Sequence, residues 1–275
     1  MPLCDVRGVT VRFGGVTALD TVTMELLEGE FVALIGPNGA GKTTLFNVLS
    51  GIQRPAEGEI IYRNQSINRL DPSQRARVGI GRTFQTPQAF GSLTVLDNLL
   101  LPGWLPRFGG IIPDLIPIPG AGQGRKLARD RARGVAAVLG IEDTLDRYPG
   151  ELPLGKRRLI ELARALCTEP QLLLLDEPAS GLDADETVRF AELLLRVRDI
   201  FKLTMLLVEH DMQLVLGVAD YLYVLNFGKL LAQGEPNAVV SNPEVVAAYL
   251  GGADQHDGVA PPAQQASSTS RGGRR

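Results

Sequence analysis

The segment FVALIGPNGAGKTTLF, residues 31–46, carries the clearest chemical pattern in the chain. It fits the spacing G-x-x-x-x-G-K-[ST] at every fixed position, between an apolar run that predicts a strand and a predicted helix. Glycines let backbone N–H groups close around phosphate oxygens, the lysine reaches the outer phosphates, and the threonine hydroxyl binds Mg²⁺. The pattern predicts a nucleotide-phosphate loop, with a chance glycine-rich turn as the alternative. The loop residues are Gly36, Pro37, Asn38, Gly39, Ala40, Gly41, Lys42, Thr43 and Thr44, with Thr43 as the metal ligand.

A pair of carboxylates follows four leucines in LLLLDEP, residues 172–178. A buried strand here would deliver Asp176 to its carboxyl end, where the side chain can hold Mg²⁺ through water. Glu177 follows directly and can orient or deprotonate an attacking water. By itself this segment could instead cap a helix. Together with the predicted phosphate loop, it predicts the acidic part of a site that hydrolyses a nucleotide.

Two further polar residues follow predicted strands. His210, one of two histidines in the chain, ends the apolar run TMLLVEH. A histidine at a strand end is usually structural. Because the neighbouring strands carry the phosphate loop and Asp176, we expect His210 to contact a γ-phosphate instead. Gln85, in GRTFQ, has a weaker pattern, since a glutamine after a short strand is mostly polar surface.

The elements that position these residues are predicted from hydrophobic patterns. Short alternating runs between residues 5 and 34 predict strands, and residues 58–67 predict one further strand. The apolar runs 172–176 and 204–210 are typical of buried parallel strands. Residues 186–200 predict the helix that crosses between these two strands, which makes a βαβ unit.

The carboxyl-terminal part predicts a hairpin, a helix and a tail. Residues 221–234 predict two strands that turn at Asn226–Gly228, and PEVVAAYLG predicts a helix that ends near Gly251. Residues 252–275 are polar and rich in Pro, Gly and Ser, so we expect a disordered tail.

A third motif, GELPLGKRRLIELARAL at residues 150–166, predicts an amphipathic helix that begins beside three cations. The cations are Lys156, Arg157 and Arg158. Helix N-termini bear unpaired N–H groups and a partial positive charge. We therefore expect an anion to bind where this helix begins.

Composition excludes several classes of protein. The 275 residues are 44% hydrophobic, enough to fill a core, and the net charge of −3 argues against nucleic-acid binding through bulk charge. Cys4 and Cys167 lie far apart without metal-ligand spacing, so we expect two reduced thiols. The amino terminus lacks the apolar stretch of a secretion signal, and no apolar run is long enough to cross a membrane.

These motifs, in this order, resemble the ATP-binding subunits of ABC transporters over about residues 3–251. The resemblance implies the α/β fold of a P-loop NTPase, with a RecA-like parallel core, an antiparallel β subdomain and an inserted α-helical subdomain. The ATP-binding domain would occupy residues 1–251, and its helical subdomain with an insert about residues 87–165. The implied cofactors are ATP and Mg²⁺.

The resemblance also implies roles for residues with weak patterns of their own. Gln85 corresponds to the Q-loop, a catalytic and metal-binding position, and Asp183 belongs to a D-loop, Ser180-Gly-Leu-Asp183. Phe13 lies 29 residues before Lys42 and matches an aromatic that stacks on adenine. The alternative for Phe13 is a strand residue packed in the core.

By the same resemblance, residues 150–166 are the signature helix, which binds the γ-phosphate of ATP held by a facing subunit. The usual Leu-Ser-Gly-Gly-Gln stands here as Leu152-Pro153-Leu154-Gly155-Lys156. Proline suits a first helical turn but offers no hydroxyl to phosphate. We expect Gly155 and Lys156 to contact the nucleotide, with the Lys156 cation offsetting the missing hydroxyl.

The segments 81–100 and 208–236 resemble one branch of the family, the ATPases of branched-chain and hydrophobic amino-acid importers. This implies a second ABC ATPase subunit in a hetero- or homodimer, transmembrane permease subunits, an extracytoplasmic substrate-binding protein and no nucleic-acid partner. The chain would lie peripherally on the cytoplasmic face of the inner membrane. Urea, amides or other small metabolites are alternative substrates. A soluble ABC ATPase acting on nucleic acid or ribosomes, and a binding switch that barely hydrolyses ATP, are alternative functions.

Residues 102–124 form a distinct insert with five prolines and six glycines around several apolar side chains. We expect either a surface for a partner or a loop folded back on its own helical lobe. The basic stretch 125–133 is typical of a solvated helix face, with contact to acidic lipid headgroups as the alternative.

Overall fold

The computed structural model describes residues 2–83, 89–104 and 121–250. The strands are β1 (Pro2–Phe13), β2 (Val16–Leu27), β3 (Phe31–Ile35), β4 (Glu57–Tyr62), β5 (Gln65–Ser66), β6 (Ile80–Arg82), β7 (Leu172–Asp176), β8 (Thr204–Val208), β9 (Tyr221–Asn226) and β10 (Lys229–Gly234). The helices are α1 (Lys42–Leu49), α2 (Pro72–Arg77), α3 (Val95–Trp104), α4 (Ala121–Leu139), α5 (Leu154–Leu166), α6 (Ala184–Phe201), α7 (Met212–Val218), α8 (Pro236–Val240) and α9 (Pro243–Leu250). Short 3₁₀ turns lie at Glu142–Thr144 and Pro149–Glu151.

A six-stranded sheet forms the centre of the molecule, in the order β10-β9-β3-β8-β7-β6. All neighbours from β9 to β6 are parallel, and β10 pairs antiparallel with β9. Every residue of β3, β7 and β8 is buried, which is why these strands are continuous apolar runs. The carboxyl ends of β3, β8 and β7 therefore meet at one edge of the sheet.

A four-stranded antiparallel sheet, in the order β2-β1-β4-β5, packs beside the central sheet. The single strand predicted at residues 58–67 is wrong, because the chain reverses between β4 and β5. Arg63 and Asn64 both have positive φ, 50° and 62°, the conformation that closes a two-residue hairpin. A run of β-rich residues does not by itself reveal such a turn.

The core has layers on both faces of the central sheet because side chains alternate along each strand. In β7, Leu172 and Leu174 pack with the antiparallel sheet and α1. Leu173 and Leu175 pack on the other face with α3, α4, α5 and α6. This arrangement agrees with the predicted α/β fold, which has a mostly parallel central sheet and a separate antiparallel sheet.

Most of the other predicted elements are confirmed. The crossover helix is α6, the hairpin turns between Asn226 and Lys229, and the last described helix ends at Leu250. Strand β8 ends at Val208 rather than at His210, because the chain bends away once Glu209 is reached. None of the helices in the described ranges is long and apolar enough to span a membrane.

Helices α3, α4 and α5 lie in the range predicted for a helical subdomain. Their mutual packing buries Val95, Leu99, Val135 and Leu162. The middle of the insert, residues 105–120, and the tail at 251–275 lie outside the described residues. The predictions for these two segments, and the subdivision of the chain into domains, stay predictions.

Candidate nucleotide-binding and hydrolysis site

The loop between β3 and α1 is built around glycines that no other residue could replace. Gly36 has φ 152°, and a Cβ there would overlap the carbonyl oxygen of Leu225. Gly41 has φ 106°, and its Cβ would lie 2.6 Å from the carbonyl oxygen of Ala18. The loop is therefore held tightly against β2 and β9, and its backbone has the freedom that only glycine provides.

Lys42 begins α1 and turns its side chain back over this loop. Its Nζ donates to the carbonyl oxygens of Gly36 at 2.6 Å and Pro37 at 3.0 Å. Burial lowers the pKa of Lys42, while the nearby carboxylates of Glu177 and Asp176 oppose that effect. The ammonium group thus lies on the phosphate loop and within electrostatic reach of the predicted catalytic Glu177 and the predicted metal ligand Asp176, and phosphate oxygens can replace the two carbonyls as its partners. The next residue, Thr43, is exposed on the first turn of the helix.

Asp176 ends β7 as a buried carboxylate, and Arg82 of β6 contacts it. Arg82 Nη2 donates to Asp176 Oδ2 at 2.8 Å. Glu177 follows in the left-handed region, with φ 44°, and its N–H donates to the carbonyl of Val208 at 2.9 Å. Non-glycine residues with this conformation are concentrated at functional sites, where the surrounding structure holds the strain.

His210 lies two residues beyond the end of β8, and its side chain is 67% exposed. Its partner is Glu209, whose Oε2 lies 3.8 Å from His210 Nδ1. The residues therefore sit at the same sheet edge as Asp176, because β8 lies between β3 and β7. Gln85, the remaining predicted catalytic residue, is outside the described ranges.

Glu209 is a candidate that the sequence reasoning missed. It is only 2% exposed, and it accepts hydrogen bonds from the N–H groups of Ala179 at 2.9 Å and His210 at 3.1 Å. Burial raises the pKa of this carboxyl, and the backbone hydrogen bonds partly offset the effect. The available signal was a charged residue inside the otherwise apolar run TMLLVEH. Arg82 was also missed, because within GRTFQ only the glutamine matched a functional position and the arginine has no pattern of its own.

The predicted signature helix α5 begins at Leu154, after Pro153, whose side chain makes no capping hydrogen bond. Lys156 Nζ donates to the carbonyl of Gly140 at 2.9 Å and contacts Asp143 Oδ1 at 3.3 Å. Arg158 is mostly buried and donates to the carbonyl of Ser180 at 2.9 Å. Two of the three predicted cations, Lys156 and Arg158, therefore contact their own chain.

The remaining predicted nucleotide contacts occupy two different environments. Asp183 caps α6 by accepting from the N–H of Glu186 at 2.7 Å, within a reciprocal capping box. Phe13 ends β1 and is 51% exposed, so the alternative of a core aromatic is wrong. An exposed ring at a strand end is available for stacking. The roles of both residues toward a nucleotide stay predictions.

The residues present fit Mg²⁺ bound together with phosphate. Among the described side chains, no group of three or more His, Cys, Asp or Glu could hold a metal alone. Mg²⁺ at phosphate sites needs only one or two protein oxygens, because phosphate oxygens and water complete its octahedron. Thr43 and Asp176 offer a hydroxyl and a carboxylate of that kind.

Comparison with known families agrees with this geometry. A family profile described as ABC transporter matches residues 19–180, which include the phosphate loop, both carboxylates and α5. A second profile, described as branched-chain amino acid ATP-binding cassette transporter, matches residues 229–255.

Individual relatives are similar over nearly the whole of their length. The high-affinity branched-chain amino acid transport ATP-binding protein LivG of Escherichia coli is 42% identical over 250 residues, 91% of this chain and 98% of LivG. BraF of Pseudomonas aeruginosa, with the same description, is 37% identical over the same shares. The ADP conformation of MJ1267, an ATP-binding cassette of an ABC transporter, has a TM-score of 0.80 at 33% identity, covering 91% of this chain and 99% of that one.

Proposed function

Because the chain belongs to the ABC transporter family of ATP-binding subunits, we propose that it hydrolyses ATP to drive the import of branched-chain amino acids. One observation carries the hydrolytic part of this proposal. Lys42 begins α1 whereas Asp176 and Glu177 are consecutive residues at the end of β7, and the two carboxylates act electrostatically on the lysine ammonium at one sheet edge. That arrangement matches the needs of phosphoryl transfer, in which positioning and charge stabilisation do most of the work.

The proposed reaction begins when the phosphates of ATP replace the carbonyls of Gly36 and Pro37 as partners of Lys42. Backbone N–H groups of the loop bind the β-phosphate, and Phe13 stacks on the adenine. Thr43 and Asp176 would hold Mg²⁺, which would supply positive charge against the negative charge of the phosphates.

Glu177 orients a water for attack on the γ-phosphorus and accepts its proton. The bond between the γ-phosphorus and the bridging oxygen breaks, and ADP leaves with that electron pair. His210 contacts the γ-phosphate from the end of β8, where its exposed ring is free to turn toward the nucleotide. Gln85 completes the set as a proposed ligand of water and metal.

The signature helix is proposed to act on a nucleotide held by a second ATPase subunit. A Cβ on Gly155 would approach nothing closer than Glu186 Oε1, at 3.4 Å. The packing of α5 in its own chain therefore does not demand glycine, which supports a close contact from outside the chain. Lys156 is held at the surface by an ion pair with Asp143 and an exposed hydrogen bond to the carbonyl of Gly140. Each contributes little free energy, so the release of Lys156 toward phosphate costs little.

As an ABC transporter ATP-binding subunit, the chain works with membrane permease subunits. We propose a peripheral position on the cytoplasmic face of the membrane and an extracytoplasmic binding protein that selects the amino acid. The relatives named for branched-chain amino acid transport, and the matching profile at residues 229–255, support this substrate.

Uptake of labelled leucine, isoleucine and valine tests the proposal, in cells that express the chain together with its permease and binding protein. Phosphate release from Mg²⁺-ATP by the purified subunit is measured in parallel. We expect both activities in the native protein and neither in its Glu177→Gln variant. Phosphate release without uptake of any of the three amino acids would contradict the substrate. Absence of phosphate release would contradict the ATPase itself.

A further inference from the structure

We propose that Arg82 is a positioning residue that holds the Asp176 carboxylate ready for the Mg²⁺–nucleotide complex, by tying the end of β7 to α1. The inference rests on the proposed function and goes beyond it, because Arg82 lies in the segment 81–100 but has no role in the proposed reaction.

The guanidinium of Arg82 connects three elements at once. Nη2 donates to Asp176 Oδ2 at 2.8 Å, while Nη1 donates to Asn47 Oδ1 and Ser50 Oγ, both at 2.8 Å. The side chains of Arg82 and Asp176 are only 9% and 10% exposed. The guanidinium also lies over the ring of Phe46, 5.7 Å from its centroid. Strand β6, strand β7 and the helix after the phosphate loop thus share one buried cation.

This contact determines how the Asp176 carboxylate is presented. Because Oδ2 accepts from Arg82, rotation of the carboxylate is restrained, and Oδ1 would be the oxygen that binds a metal or its water. The main chain is held as well, since the Asp176 N–H lies 3.4 Å from the hydroxyl of Thr83, the residue after Arg82. Groups that hydrogen-bond to a metal ligand fix its orientation and influence the affinity of the site for the metal.

The fork of arginine suits this role better than lysine would. A guanidinium is planar and presents several N–H groups in fixed directions, whereas an ammonium is a compact point charge on a flexible chain. Lysine at position 82 could pair with Asp176 but would not reach α1 and the carboxylate with the same geometry. The positioning role therefore predicts a partial loss with lysine and a larger loss with an uncharged side chain.

The chain supplies its own control in Arg75, a second buried arginine that contacts the end of α1. Its guanidinium donates to the main-chain carbonyls of Val48, Leu49, Ile67 and Leu70. Arg75 therefore stabilises the same helix without a hydrogen bond to Asp176. A purely structural role for Arg82 would make the two arginines equivalent in their effect on metal binding.

The experiment measures the affinity for a fluorescent ATP analogue with Mg²⁺ and with EDTA, in the full chain and its variants. Mn²⁺ binding in the presence of ADP, followed by electron paramagnetic resonance, gives a second readout that does not depend on turnover. In the native chain, Mg²⁺ should raise the affinity for nucleotide, and we expect Arg82→Gln to reduce this gain by about tenfold or more. Loss of a group that hydrogen-bonds to a metal ligand typically has an effect of this size. Metal-free affinity should stay near the native value, Arg82→Lys should be intermediate, and Arg75→Lys should lower the melting temperature but keep the full gain.

Arg82 variants that keep the native metal-dependent gain, whatever their melting temperature, would overturn the proposal. Arg82→Lys keeps the buried charge, so it gives the same test if Arg82→Gln does not fold. A native chain that binds no nucleotide would instead refute the proposed function. The two failures are distinguishable, because the metal-free titration of the native chain tests only whether the chain binds nucleotide and does not depend on Arg82 variants.

Discussion

Lys42 has two sets of neighbours, the carbonyl oxygens of its own loop and the carboxylates of Asp176 and Glu177. The carbonyls satisfy the ammonium when no phosphate is bound, and the carboxylates favour its charged form. Because the two carboxylates also repel anions, the binding of phosphate at this edge depends on the loop N–H groups and on a metal cation. Because the attraction of Lys42 for phosphate is opposed by the two carboxylates, none of these residues is expected to bind phosphate by itself.

At this scale, Glu177→Gln is expected to keep ATP binding and to lower turnover by about 10²-fold or more, because a glutamine cannot accept the proton of water. Phosphate release and nucleotide affinity are measured on the same preparation. Glu192→Gln is the matched control, since Glu192 is exposed on α6. Equal turnover in native and Glu177→Gln protein would remove Glu177 from the reaction.

At the scale of the elements, polar contacts around residues 177–183 connect the carboxyl ends of β7 and β8 with the start of α5. Glu209 accepts from the N–H of Ala179, and Arg158 donates to the carbonyl of Ser180. The predicted signature helix, the predicted D-loop and the end of β8 are therefore joined within one subunit.

Glu209 gives a pH-dependent prediction for this junction. Its folded-state pKa is raised above the ordinary 4.5, so the stability that protonation contributes is present below pH 4.5 and lost as pH rises through the folded-state value. The free energy of unfolding of native protein minus that of Glu209→Gln should therefore fall as the pH is raised through the range above about 4.5. Urea unfolding across this range measures it. A difference that is constant with pH, or that rises, would contradict the raised pKa of Glu209. For the control Glu192→Gln, the same difference in unfolding free energy should not change with pH.

The start of α5 gives a second prediction for an element. Pro153→Ser adds a side chain that can cap the helix, worth about 0.5–2 kcal/mol in unfolding free energy relative to Pro153→Ala. The same hydroxyl can donate to a γ-phosphate across a dimer, and a charged hydrogen bond of this kind predicts about a two- to tenfold rise in ATPase rate. Rates are compared at protein concentrations that permit dimers. Identical rates for the serine and alanine variants would show that this position does not contact phosphate.

At the scale of the whole molecule, the two sheets and the helices bury a hydrophobic core, and both cysteines lie in it. Cys4 and Cys167 are both free and buried, and burial raises the pKa of each thiol to about 12. Neither thiolate is available for chemistry at neutral pH. Contacts with other subunits must come from other residues, and the insert at residues 102–124 has an unusual composition, with five prolines and six glycines.

The insert gives the prediction at this scale. Ile111, Ile112 and Ile116 lie outside the described residues, and we expect them to contact the permease. Replacing all three with serine should leave the melting temperature and basal phosphate release unchanged while weakening co-purification with the permease. Ile200→Ser, at an exposed isoleucine of α6, is the control. A lowered melting temperature in the triple variant would show instead that the insert packs on its own helical lobe.

Local patterns in the sequence were enough to predict the strand, loop and helix around Lys42 and the strand that ends at Asp176. In each case the chemistry depends on neighbours in the chain: glycines that free the backbone, leucines that bury a strand, and a polar residue at its end. The turn at Arg63–Asn64 escaped prediction, because Asn64 favours a turn but no glycine accompanies it, and the flanking residues suit a strand on both sides.

Only the tertiary structure decided which distant side chains meet. Arg82 reaches Asp176 across 94 positions because β6 pairs with β7 in the register that sets Arg82 beside Leu174. Glu209 finds the N–H of Ala179 through the parallel pairing of β7 and β8, and Lys156 finds Asp143 through the packing around α5. A sequence pattern records periodicity and neighbours, but strand register and helix packing set these partners. The same charged residue is therefore a surface group or a positioning group according to contacts that no short segment contains.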